Sequence, residues 1–416
     1  MLKKSILGTA ALISGLTLAS ESFAGGYLLN EFSATGQGRA FAGAGVVGDD
    51  YSAIAFNPAG MTLKDSGLQA GLTLVELRSR AEGSLSTGYG NDKAPGKVEL
   101  YKTLPSFFAQ YKVNEQVYLG LGAYAPFGLA TKYKWGWYGE THGVKTELTV
   151  YDIAGAVALK PTDKLSIGGA LIARYVYGDL TNRVGVAGLA PNGIPNSKNE
   201  FEVDGWDYGF NVGIMYEFTK DLRAGLAYKT QSSQTVSGTQ TIKGVPIPGV
   251  NGEYDATSTM TLPSTLTASG FWKVNDKFGL SALARFTQWN VFDDFIIVSD
   301  YMTTNIPEKW KNSWTFAAGL DYYLNENWTL RGGVAYDECP IRSSKYRTAR
   351  IPDSDRYTVA VGFSYKYDNF KVDVGYSHIF MAKSKTANLD TRTGTTIHAR
   401  YDGRGNMLGV QLQYDF

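Results

Sequence analysis

Val410-Gln411-Leu412-Gln413-Tyr414-Asp415-Phe416 is the last stretch of the chain. Its apolar residues, Val410, Leu412, Tyr414 and Phe416, alternate strictly with Gln411, Gln413 and Asp415. A period of two marks a β-strand with two different faces. An aromatic residue at the very end is the usual close of an outer-membrane barrel, and the barrel assembly machinery reads it. The same phase runs through Tyr357, Val359, Val361, Phe363, Tyr365 and Tyr367, and through Tyr208, Phe210, Val212, Ile214, Tyr216 and Phe218. Such alternation is expected where one face meets lipid and the other a lumen.

Outward from that strand, short polar breaks fall at 113–116, 161–164, 219–221, 275–277, 325–327 and 368–369. Between them lie long segments, each holding a pair of strands and a longer loop. Six short turns join twelve strands, and a first strand over Leu68–Arg80 and a last over Asn406–Phe416 make fourteen. Both chain ends then lie on the short-turn side, which is periplasmic in such barrels. The expected fold is all-β: a transmembrane antiparallel barrel of about fourteen strands, closed because a membrane tolerates no open sheet edge.

Composition agrees. Glycine supplies 48 of the 416 residues, tyrosine 27, and charged residues 19%, against ~7% glycine and ~25% charge in soluble domains. Past the N-terminus no stretch approaches the ~20 consecutive apolar residues of a membrane helix. Lys3 and Lys4, the apolar run from Ile6 to Ala19, and Ser22-Phe23-Ala24 read as a signal peptide over residues 1–24. The other 416 − 24 = 392 residues carry 40 − 2 = 38 basic and 39 − 1 = 38 acidic side chains. That balance points away from a nucleic-acid partner. Cys339 is the single cysteine, and His142, His378 and His398 make no metal-ligand spacing, so no metal or cofactor is expected.

Fourteen strands enclose more space than wall side chains fill. Residues 25–67 lack strand phase yet hold Phe32, Phe41, Tyr51, Ile54, Phe56 and Met61, too apolar a set for a disordered tail. They are expected to form a hatch within a barrel of residues 68–416. In Asn57-Pro58-Ala59 the proline fixes its own φ and restricts Asn57, whose side chain can bond nearby backbone, as a tight turn requires.

The same segment carries a resemblance. Tyr27-Leu28-Leu29-Asn30-Glu31-Phe32, Gly36-Gln37-Gly38-Arg39-Ala40 and Asn57-Pro58-Ala59 are similar to the N-terminal hatch of the FadL family of outer-membrane long-chain fatty acid transporters. The likeness continues through Tyr124-Ala125-Pro126-Phe127-Gly128-Leu129-Ala130, Leu262-Pro263 and Ile351-Pro352-Asp353-Ser354-Asp355-Arg356-Tyr357. It implies passive uptake of a long-chain fatty acid or another hydrophobic small molecule. Ligand would enter by an external groove, pass to an inner pocket, and leave sideways into the bilayer near a kinked third strand. It also implies a monomer standing among outer-membrane lipid and lipopolysaccharide.

Several residues are candidates for that path. Phe127, Leu129, Trp135 and Trp137 make an unusually apolar loop region, either a capture groove or loop packing with the interfacial aromatic girdle. Val186–Pro191 and Val245–Pro248 are two further apolar loops open to the same two readings. Gly120, Gly122 and Pro126 in the third strand mark either a kink or an ordinary glycine-rich strand. Inward charges such as Arg174, Lys229 and Arg285 are either carboxylate ligands or a structural ion-pair network. Lys311 resembles a family position for a ligand-binding lysine. Where the family has a second basic residue on strand five this chain has Tyr177, with Arg174 nearby, so an aromatic hydrocarbon stays open as the alternative ligand.

A general porin would need neither hatch nor apolar loops. An enzyme is the least supported reading. Ser377 and His378 point to opposite faces of one strand, and no Gly-x-Ser-x-Gly elbow stands on a suitable turn.

Overall fold

The computed structural model describes residues 26–86 and 94–416; the expected signal peptide lies outside the described residues. All strands join one antiparallel sheet. They are β1 (Gly67–Ser86), β2 (Gly96–Lys112), β3 (Val117–Lys132), β4 (Lys145–Leu159), β5 (Leu165–Asn182) and β6 (Lys198–Glu217). Next come β7 (Leu222–Lys229 with Ser232–Lys243), β8 (Gly252–Leu262 with Thr265–Lys273), β9 (Phe278–Thr287 with Asp294–Ser299) and β10 (Thr303–Pro307 with Ser313–Tyr323). β11 (Trp328–Asp337), β12 (Arg356–Tyr367), β13 (Phe370–Met381 with Ser384–Asp390) and β14 (Thr395–Asp415) complete the wall. The two pieces of a split strand continue one another on the same neighbour, as both parts of β13 do on β14. β14 pairs with β1 from Asp415↔Gly67 to Thr396↔Ser86, which closes the sheet into a fourteen-stranded barrel.

The six short turns fall where the polar breaks predict, and five share one device. Asn114, Thr162, Thr219, Asn275 and Asn325 each accept hydrogen bonds from the backbone N–H groups two and three residues on. A short polar side chain thus replaces a missing ladder partner and turns the chain back. The sixth turn is two residues long and puts Asp368 at φ 52°, the left-handed region that two-residue hairpins demand.

Leu72, Leu74, Phe210, Val212, Ile214, Val359, Val361 and Leu412 stand exposed on the outer face. Water would not tolerate so continuous an apolar surface, whereas bilayer hydrocarbon is its natural solvent. Residues 26–66 pack inside the wall. They include α1 (Ala34–Gln37), α2 (Ala53–Phe56) and the 3-10 turn Pro58–Leu63. Arg39 holds Asp49 at 2.7 Å and Asp321 of β10 at 3.0 Å, and Arg331 of β11 reaches Asp49 at 3.0 Å. At the other end, Tyr51 and Lys64 both hold Asp415 of the closing strand, at 2.7 and 2.5 Å.

Candidate functional site

The wall is not uniform. β3 and β4 stay in register up to Tyr124↔Asp152 and resume at Phe127↔Val150, so Ala125 and Pro126 face the single residue Tyr151. One extra residue on one strand is a β-bulge, and proline is suited to it because it has no ladder donor to lose. The bulge also inverts the phase of the strand. Tyr118, Gly122 and Tyr124 face inward below it, and Phe127 and Leu129 face inward above it, all buried.

The bulge pulls β3 away from β2. Their ladder ends at Phe107↔Ala123, although β2 continues along β1 as far as Gly96. In the split, Lys102 from the inner face of β2 meets Glu147 from the outer face of β4 at 3.3 Å. That contact needs the wall to be parted between them. Lys145 holds the second Glu147 oxygen at 2.9 Å and Asp179 of β5 at 2.6 Å. A groove of about 580 Å³ with exposed Leu74, Tyr101, Tyr376 and Leu408 on its rim lies at this place.

On the inside, the N-terminal segment is stitched to the bulge. Leu28 bridges Phe127 in antiparallel fashion. The Leu29 N–H donates to the Pro126 carbonyl at 2.8 Å, and the Gly128 N–H donates to the Tyr27 carbonyl at 2.9 Å. The Tyr27 ring then meets Trp289, Phe292 and Trp310 at centroid distances of 4.6, 5.6 and 5.7 Å. Above Tyr27 lies an apolar cavity of about 60 Å³ between β4, β5, β6 and the outer loops, walled by Leu129, Leu148, Phe201, Met260, Phe292 and Ile351. Its lining also includes the polar residues Thr146, Glu147, Glu308 and Arg350. Glu308 accepts from the Trp310 indole at 2.9 Å; burial pushes its carboxyl up to about 8, which favours its protonated form.

The sequence-predicted residues separate. Phe127 and Leu129 belong to the inner chamber. Trp137 is buried and stacks on Tyr133 with centroids 4.0 Å apart, and so packs loops together. Trp135 is half exposed, with the Arg183 guanidinium 4.8 Å above its ring. Val186 and Val245 both pack in one loop cluster around Ile194 and Ile242, while Leu189 and Ile247 stay exposed. Arg174 is fully buried but spent on Asp152, at 2.7 and 3.0 Å, with Lys229 on the same carboxylate at 2.8 Å. Lys311 sits outside the cavity with its ammonium on Glu338 and its side chain 42% exposed. Gly120 and Gly122 do not make the kink: both pair in register on both sides. They leave room instead, because a Cβ on Gly120 would lie 2.7 Å from Met61 and one on Gly122 3.0 Å from Phe108.

Asn57-Pro58-Ala59 docks on the wall at β5 and β6. The Asn57 Oδ1 accepts from the Ala59 N–H at 3.1 Å and its Nδ2 donates to the Ile214 carbonyl at 3.3 Å. Sequence reasoning missed Lys102, Glu147, Glu308 and Arg350.

The family described as "Outer membrane protein transport protein (OMPP1/FadL/TodX)" matches residues 15–416. The chain belongs to the OMPP1/FadL/TodX family. Family membership and the closed barrel together place it in the bacterial outer membrane. A long-chain fatty acid transport protein of Escherichia coli O6:H1 is 26% identical, with 100% of both chains covered. Outer membrane protein P1 of Haemophilus influenzae is 27% identical over 99% of each. Among solved structures, a Pseudomonas aeruginosa FadL homologue has a TM-score of 0.85 at 24% identity, covering 94% of this chain and 100% of that one. The Ralstonia pickettii toluene transporter TbuX has a TM-score of 0.67 at 20% identity, covering 93% and 99%. Such similarities at low identity speak for a shared OMPP1/FadL/TodX fold.

Proposed function

We propose that this protein takes up long-chain fatty acids passively and delivers them sideways into the outer membrane. The observation that carries the reading is the split between β2 and β3, with an apolar chamber behind it and the N-terminal segment bridged onto the β3 bulge. An apolar solute gains nothing by crossing the aqueous lumen, so a side way out to lipid is the favourable route. Trp135, Leu189 and the aliphatic stem of Lys311 offer first contact at the outer rim; Phe127 and Leu129 continue the path within. Residues 26–66 act as the hatch. Ligand entering beside Tyr27 displaces residues 27–29 from β3 and widens a cavity of about 60 Å³. The Lys102–Glu147 pair, lying across the split, yields last. Names of the full-length relatives favour fatty acids.

The aromatic lining of Tyr27, Phe201, Phe292 and Phe295 also suits aromatic hydrocarbons as a second reading. Neither reading involves a catalytic step or an energy source. The test is uptake of radiolabelled oleate and of toluene by cells lacking their own such channel, with and without this protein. Oleate uptake that depends on the protein is expected. A folded protein that raises toluene uptake alone would transfer the account to the second reading.

A further inference from the structure

Six arginines are buried among the described residues, and four hold a carboxylate: Arg39 and Arg331 share Asp49 and Asp321, Arg174 has Asp152, and Arg356 has Asp353. Arg285 and Arg350 have no carboxylate in ion-pair contact. Arg285 lies beneath the N-terminal segment in polar surroundings, its Nη1 on Asn30 at 2.7 Å and its Nε on Thr267 at 3.2 Å. Arg350 differs. Its Nη1 donates to the Lys145 carbonyl at 3.1 Å and to Thr146 at 3.2 Å, and its Nη2 donates to Asn182 at 3.0 Å. Its Nε is buried with no acceptor. The guanidinium is thus held in place by neutral groups alone, on the wall of the apolar cavity above Tyr27.

We propose that Arg350 is the head-group site for the carboxylate of an acyl ligand whose chain fills this cavity, and that it selects acids over neutral hydrocarbons. The inference rests on the transport reading above and deepens it. A buried cation with no carboxylate in contact is expensive, since the nearby Asp390 and Asp179 are held by Arg392 and Lys145, and a bound carboxylate supplies a partner charge and an acceptor. The neighbouring cations are engaged: Lys145 with Glu147 and Asp179, Arg183 with Glu140, Arg392 with Asp390. Glu308, on the same cavity, is not a rival anion while burial keeps it protonated; in that form it donates a hydrogen bond to a carboxylate. Lys311, the residue suggested by family resemblance, is outside the cavity and paired.

The test is equilibrium binding of oleate and of its neutral counterpart oleyl alcohol to the purified full-length protein in detergent, for wild type, Arg350→Met and Arg350→Lys. Wild type should prefer oleate by about tenfold or more, the scale of one charge-assisted hydrogen bond. Arg350→Met should lose that preference while keeping oleyl alcohol affinity; Arg350→Lys should keep part of it. Equal wild-type affinities for the two ligands would overturn the proposal without recourse to a variant. So would a preference that survives in Arg350→Met. Wild type binding oleyl alcohol or toluene but no oleate would sink the fatty-acid reading as well, which separates the two failures.

Discussion

Asp152 is a single carboxylate serving two cations, Arg174 and Lys229; Asp152 and Arg174 are buried inside the wall and Lys229 is partly buried beside them. Asp152→Asn leaves two interior charges without an anion, at a cost of about 3–5 kcal/mol. The temperature at which the barrel loses its compact form on a detergent gel should fall clearly; an unchanged transition would show that the cations find other partners. His142 makes a different prediction. It is buried in the outer loop between β3 and β4, 3.1 Å from Thr395, with Asp390, Arg392 and Arg350 as its charged neighbours. Burial pulls its value down to about 4 from the ordinary 6.5, with Asp390 opposing. A depressed value favours the neutral ring in the folded loop. Its stabilisation is therefore present above pH 6.5 and lost as pH falls through about 4. Proteolysis of the 133–144 loop should accelerate over that window in wild type more than in His142→Asn. Identical profiles would remove His142 from the account.

At the scale of the element, β3 decides the path. Deleting Pro126 removes the extra residue and makes the β3–β4 ladder continuous, with Phe127 still opposite Val150 and facing inward, so β3 loses the bend that parts it from β2. Oleate uptake should collapse while the barrel still assembles; uptake at the wild-type rate would mean that the split is not the way out. The hatch has its own weak point. A Cβ on Gly213 of β6 would lie 1.9 Å from the Asn57 Oδ1. Gly213→Val should therefore unseat the Asn57-Pro58-Ala59 turn, seen as faster hydrogen exchange over residues 53–63 with the wall unaffected. Strands and turns were legible in the sequence because their signals are local: alternation within each strand, and an Asn or Thr at the start of five turns. The bulge was legible only as a suspicion attached to glycine and proline together. Gly120 and Gly122 are explained by Met61, Ile54 and Phe108 packing against them, a relation between segments that no single stretch contains. Arg350 was hidden for the same reason. Its setting depends on residues 145, 146 and 182, and nothing near position 350 announces them.

For the whole molecule, the two ends of the N-terminal segment are held differently. Residues 39–64 are tied into the wall by the Arg39–Asp49–Arg331 network and by Asp415. Residues 27–29 are joined to the bulge by two backbone hydrogen bonds and aromatic contacts. The part proposed to move, residues 27–29, thus lies against the split. Leu28 and Phe127 face each other as a non-hydrogen-bonded antiparallel pair, with Cα atoms ~4.5 Å apart in such pairs, within reach of a disulfide. The decisive measurement is oleate uptake by cells carrying Leu28→Cys and Phe127→Cys in a Cys339→Ser background, before and after reduction. The account predicts little uptake while the bridge is closed and recovery once it is reduced. Uptake equally fast in both states would contradict it, because ligand would then be passing without moving the N-terminal segment.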